Sequence, residues 1–97
     1  MRVILAGSTV TAGNGRDTIA FIVTDQNVGI GNETIKNFSS RQDVIEINHT
    51  LLTGFLDLTQ HAHQSGSDTV IAIDAHDTIT LQGVSLSSLH ASNFLFV

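Results

Sequence analysis

The chain has 97 residues, enough for one small domain whose own core stabilises it weakly by surface-to-volume scaling. It contains no Cys, Pro, Trp or Tyr, which excludes disulfides and Cys-held zinc or iron–sulfur centres. A net charge of −5, with four cationic side chains (Arg2, Arg16, Lys36, Arg41), excludes general binding to a nucleic-acid backbone and leaves a metal cation as the simplest charged partner.

In chain order, β-branched and apolar runs predict strands over Val3–Ala6, Thr18–Val23, Thr34–Phe38, Val44–Ile47, Thr69–Ile73, Thr78–Leu81 and Phe94–Val97. The first of these is too short to be the apolar region of a signal peptide, and no run is long enough for membrane insertion. A single helix is expected after Thr53 as N-cap, with Phe55, Leu58 and Ala62 at helical spacing, Leu56 widening the apolar stripe and Gly66 ending it. Asp68–Ile73 and His76–Leu81 are expected to pair as a hairpin across Asp74-Ala75.

An acidic residue, a spacer and a β-branched residue recur at Asp17-Thr18-Ile19, Glu33-Thr34-Ile35, Asp43-Val44-Ile45, Asp68-Thr69-Val70 and Asp77-Thr78-Ile79. Glycines precede the first two in matching positions, Gly13 and Gly15, then Gly29 and Gly31. With Asp25 between them, Asp17, Asp25, Glu33 and Asp43 form a ladder with steps of eight, eight and ten residues. In a coil of two short strands and two tight loops, Asp17 and Glu33 would share one edge, and Asp25 and Asp43 the other. The glycines permit positive φ and inward carbonyls. Carboxylates and carbonyls together are hard oxygen ligands of the kind Ca²⁺ takes, whereas zinc or copper would want His or Cys.

Ala12-Gly13-Asn14-Gly15-Arg16-Asp17-Thr18-Ile19 resembles the glycine-rich nonapeptide of RTX (haemolysin-type) calcium-binding exoproteins, with Ala12 in place of the first glycine. Residues 33–97 resemble the C-terminal end of such proteins, including the serralysin-type tail. The match runs through Thr34-Ile35-Lys36-Asn37-Phe38, Asp43-Val44-Ile45-Glu46-Ile47, Gly66-Ser67-Asp68-Thr69, Asp77-Thr78-Ile79 and Asn93-Phe94-Leu95-Phe96. Glu33 and Asn37 depart from the Asp that the family uses.

The resemblance implies a mainly all-β fold: a short parallel β-roll or β-helix, capped by one α-helix and a β-hairpin. It implies one domain, 1–97, with degenerate calcium-binding coils over 1–48 and a cap ending in a secretion-signal-like segment over 49–97. The implied metal ligands are Gly13, Gly15, Asp17, Asp25, Gly29, Gly31, Glu33 and Asp43, and the implied cofactor is Ca²⁺. The implied role is calcium-dependent folding and export of a secreted, extracellular protein by a type I (ABC transporter) machine. An open coil edge at the N-terminal side would permit self-association.

Catalysis has little support in the residues. No Gly-x-Ser-x-Gly elbow and no His-Glu-x-x-His helix occurs, and any catalytic domain would lie upstream. The five histidines (His49, His61, His63, His76, His90) are expected at the surface, and Asp68 and Asp77 are expected to cap turns through bonds to backbone N–H groups. Two other classes compete. A polysaccharide-binding module would need exposed aromatics, yet only five Phe are present and they are expected in the core. A metal-dependent hydrolase fragment would need at least two histidines converging on one cleft.

Overall fold

Alternating apolar residues make each strand a one-sided surface, so the burial of that side decides how strands associate. The computed structural model describes residues 2–4 (backbone only), 9–13, 15–21 and 31–97, and it deals the first five strands alternately to two sheets. β1 (Arg2–Ile4), β3 (Thr18–Phe21) and β5 (Val44–Ile47) join the first sheet, while β2 (Thr9–Thr11) and β4 (Asn32–Lys36) join the second. The chain then forms α1 (Phe55–His61), β6 (Ala62–Ser65), β7 (Asp68–Ala72) and β8 (Thr78–Leu81) before returning to the first sheet as β9 (Phe94–Phe96). The sheet orders are β1-β3-β5-β9 and β2-β4-β8-β7-β6.

The first sheet is parallel throughout, with Arg2 beside Thr18, Thr18 beside Val44 and Ile45 beside Phe94. In the second sheet β2, β4 and β8 are parallel, and β7 and β6 fold back antiparallel. This is a mainly β, β-roll-like arrangement with one helix. Between the sheets, Ile19, Phe21, Ile45, Ile47 and Phe94 meet Ile35, Ile71, Ile79 and Leu81, with Leu58 of α1 joining them. Each such aliphatic or aromatic side chain contributes about 1.5–3 kcal/mol relative to leaving it in water. Asn37, at φ 63, supports the crossing between coils: its Nδ2 donates to the Ala12 carbonyl at 2.9 Å while the Ala12 N–H donates to the Lys36 carbonyl at 2.9 Å.

Val44–Ile47 and Thr78–Leu81 are strands with the expected limits, and the expected hairpin is the β7–β8 pair, with Thr69 beside Leu81 and Ala72 beside Thr78. The other expected strands are shifted by one or two residues where they are described; 5–8 and 22–30 lie outside the described residues.

The helix differs more from expectation. It starts after Gly54, and Thr53 does not cap it; instead the Thr53 N–H and hydroxyl donate to Asp57 Oδ2 at 3.0 and 3.4 Å. It ends at His61, because Ala62–Ser65 pairs with β7 and so belongs to the sheet. Gly66, at φ 60, therefore turns a hairpin and does not stop a helix. Leu56 does not widen a buried stripe: it is 74% exposed. The strand Thr9–Thr11 was not expected from the sequence; its threonines face out and Val10 packs against the core.

Candidate functional site

A parallel strand cannot be tied to its neighbour by a tight turn, so its start needs another anchor. In the first sheet that anchor is an Asp at the head of β5 and an Asn at the head of β9. Asp43, just before β5, accepts the Asp17 N–H on Oδ1 at 2.9 Å and the Ser39 N–H on Oδ2 at 2.8 Å. The Val44 N–H completes the link by donating to the Asp17 carbonyl at 2.9 Å. Asn93, just before β9, repeats the device one coil on. Its Nδ2 donates to the Ser40 carbonyl at 2.9 Å and the Asp43 carbonyl at 3.2 Å, and its Oδ1 accepts the His90 N–H at 2.8 Å.

The second sheet uses the same bracket. Asp77, just before β8, accepts the Gly31 N–H on Oδ1 at 2.8 Å, and the Thr78 N–H donates to the Gly31 carbonyl at 3.0 Å. At the turn that follows, Asp68 Oδ1 accepts the Gly83 N–H at 2.7 Å. Asp68 and Asp77 thus bond backbone N–H groups as expected, though across the fold and not within their own turns.

These contacts re-sort the acidic ladder. Asp17 neighbours Asp43, 26 residues away, and not Glu33. The chain crosses to the other sheet between β3 and β4, so the sixteen-residue step from Asp17 reaches the opposite sheet. Glu33 lies within β4 beside Ile79, 1% exposed, and the residue that matches the bracketing position there is Gly31. Asp25 and Gly29 lie outside the described residues, as does the expected pairing of Asp25 with Asp43. Asp43, 1% exposed, has each oxygen engaged by a backbone N–H, which makes it a bracket more than a free ligand.

The glycine loop keeps more of its expected character. Gly15 and Gly31 have φ of 83° and 76°, the left-handed region that glycine reaches without strain. A Cβ on Gly13 would stand 3.9 and 4.0 Å from the two carboxylate oxygens of Asp17, so the Asp17 carboxylate lies tucked under this loop. Among the described residues, no three of His, Asp or Glu converge as a metal cluster.

Where the heads of β3, β5 and β9 line up, a cleft of about 310 Å³ opens between residues 16–18, 40–44 and 92–93. Sequence patterning singles out Asp17 and Asp43 here as ligands and Asn93 as part of the C-terminal ending; the signal of its bracketing role is its place immediately before an apolar strand. The histidines are spread over the surface: His49, His63, His76 and His90 are exposed, and His61 is half-buried beside Asp57 at 3.4 Å. Phe21, Phe38 and Phe94 are buried and Phe55 and Phe96 pack against the core, so none is an open stacking platform. At the β7–β8 turn, the His76 N–H, donated to Asp74 at 2.8 Å, and then the Asp77 side chain hold the Asp74 carboxyl below its ordinary value.

No known protein family matches the sequence, and no curated protein does. Among solved structures, the fold is similar to part of the extracellular lipase LipA from Serratia marcescens. The TM-score is 0.72 at 22% sequence identity, over 95% of this chain and 14% of the lipase chain. The chain therefore spans about a seventh of that protein's length, and what the two share is the fold.

Proposed function

We propose that this chain is an RTX-type module that couples calcium binding to folding and supports export of an exoprotein, carrying out no chemistry of its own. The observation that carries this is the Asp17 carboxylate lying under Gly13 in a loop with Gly15 left-handed, set in a roll whose strands alternate between two sheets. The carbonyls of Gly13 and Gly15 and the carboxylate of Asp17 are the ligands this geometry favours; hard oxygen donors suit Ca²⁺. Asp43 and Glu33 leave the ligand set, the first because it brackets backbone and the second because it faces the core.

Calcium bound there stabilises the folded chain by mass action, about 1.4 kcal/mol at ten times its Kd. The similarity of fold to an extracellular protein and the family-like order Asn93-Phe94-Leu95-Phe96-Val97 support an extracellular destination reached through a type I transporter. The test is urea unfolding, followed by far-UV circular dichroism, in calcium and in chelator. Calcium is expected to raise the midpoint, and Asp17→Ala to abolish the difference between the two conditions. Identical curves for the unaltered chain in the two conditions would falsify the calcium role.

A further inference from the structure

The chain carries only four Lys and Arg against nine Asp and Glu, yet two of its four cations, Arg16 and Arg41, line the same cleft. Both are exposed, and among the described residues neither guanidinium is paired with a carboxylate. Two carboxylates also line the cleft, Asp17 and Asp43: each Asp43 oxygen accepts a backbone N–H, and Asp17 is buried beneath Gly13. Asn93 spends its amide on the Ser40 and Asp43 carbonyls and the His90 N–H. Beside these two carboxylates, the cleft is lined by Arg16, Arg41, Thr18, Ser40, Ser92 and Gln42, a set rich in hydrogen-bond donors.

Guanidinium groups present several N–H donors in a planar fork and have no acceptor, so an unpaired pair in one concavity is matched by an oxyanion. The volume, about 310 Å³, falls at the small end of ligand sites and suits a single ring or a smaller solute. On a chain of net charge −5 the long-range field repels anions, so attraction must be local to this cleft. We infer that the cleft between the heads of β3, β5 and β9 is a binding site for the oxyanion group of a small hydroxylated solute, held by Arg16 and Arg41 with Thr18, Ser40, Gln42 and Ser92 on its hydroxyls. The cleft adjoins the proposed calcium loop, since Asp17 lines it, but its two guanidiniums are donors where a metal would need acceptors.

Three sugars that differ only at carbon 6 test the inference: glucuronate, glucose 6-phosphate and glucose. Each is titrated into the ¹⁵N-labelled full chain at fixed calcium and ionic strength. Either anion is expected to give saturable shifts at the amides of residues 16–18, 40–42 and 92, and glucose none. Saturation by glucuronate alone identifies a carboxylate ligand, and by glucose 6-phosphate alone a phosphate; saturation by both identifies a general oxyanion site. The double variant Arg16→Gln/Arg41→Gln is expected to lose saturation. Each single variant, which perturbs the fold less, is expected to raise Kd about tenfold. No saturation by either anion, equal shifts with glucose, or an unchanged Kd in both single variants overturns the site. Because calcium is held fixed and Asp17 is untouched, failure here is distinct from failure of the calcium-switch proposal.

Discussion

The two sheets solve the same problem with different means. The first is parallel to its last strand, and every link after β1 joins residues far apart in the chain: the bracket from Asp43 to Asp17 spans 26 residues and the one from Asn93 to Asp43 spans 50. The second uses one long bracket, Asp77 to Gly31 across 46 residues, and then turns to the local hairpins β8–β7 and β7–β6. Parallel pairing offers no tight turn to set the register, so polar side chains set it instead. Asp43, which looks like a metal ligand in the sequence, is in the first sheet the part that aligns one coil on the next.

This contrast can be broken by deletion. Asp43→Ala strands two N–H groups, those of Asp17 and Ser39, and is expected to cost about 3–5 kcal/mol in urea unfolding. Asp43→Asn keeps one acceptor and is expected to cost distinctly less. Such a loss is a large share of the stability of a small domain, so the alanine variant is expected to be partly unfolded at rest. Asp77→Ala removes the bond to a half-buried glycine and an exposed contact with Asp74, in a sheet that also has its hairpins, and about 1–2 kcal/mol is expected. Equal losses for the two alanine variants would show that the hairpins lend the second sheet no independent support.

The smallest effect concerns pH. The His76 N–H and then the Asp77 side chain depress the Asp74 carboxyl in the folded chain. A depressed folded value stabilises at pH above the ordinary carboxylate value and is lost as pH falls through the lowered one. Asp74 is exposed, so solvent screens the gain. The urea midpoint is expected to fall slightly on the acid side of the carboxylate range, and Asp74→Asn to flatten that part of the profile.

Much of this was legible locally and some was not. Val44–Ile47 and Thr78–Leu81 alternate apolar with polar residues, and the structure buries Ile45, Ile47, Ile79 and Leu81 as that pattern predicts. Ala62-His63-Gln64-Ser65 has no such pattern; it is a strand because β7 offers it a ladder, a non-local cause that a local window does not contain. The recurrence of acid, spacer and β-branched residue correctly marks the heads of β3, β5 and β8 at Asp17, Asp43 and Asp77. It misplaces Glu33, because the coils differ in length and equal steps along the chain do not become equal steps along the sheet. Which acid neighbours which is a property of the crossings, whose lengths differ from coil to coil.

The bond between Asp77 and the Gly31 N–H has a further consequence, for the order of assembly. The β6–β7–β8 unit closes through short turns, and hairpins of this kind form in about 1–10 μs. Joining β8 to β4, or β9 to β5, must first close a far longer loop and comes later. The Asp77–Gly31 contact is therefore the seam along which an early C-terminal unit receives the N-terminal coils. Synthesis delivers the chain from the other end, so the coils made first wait for the piece that organises them.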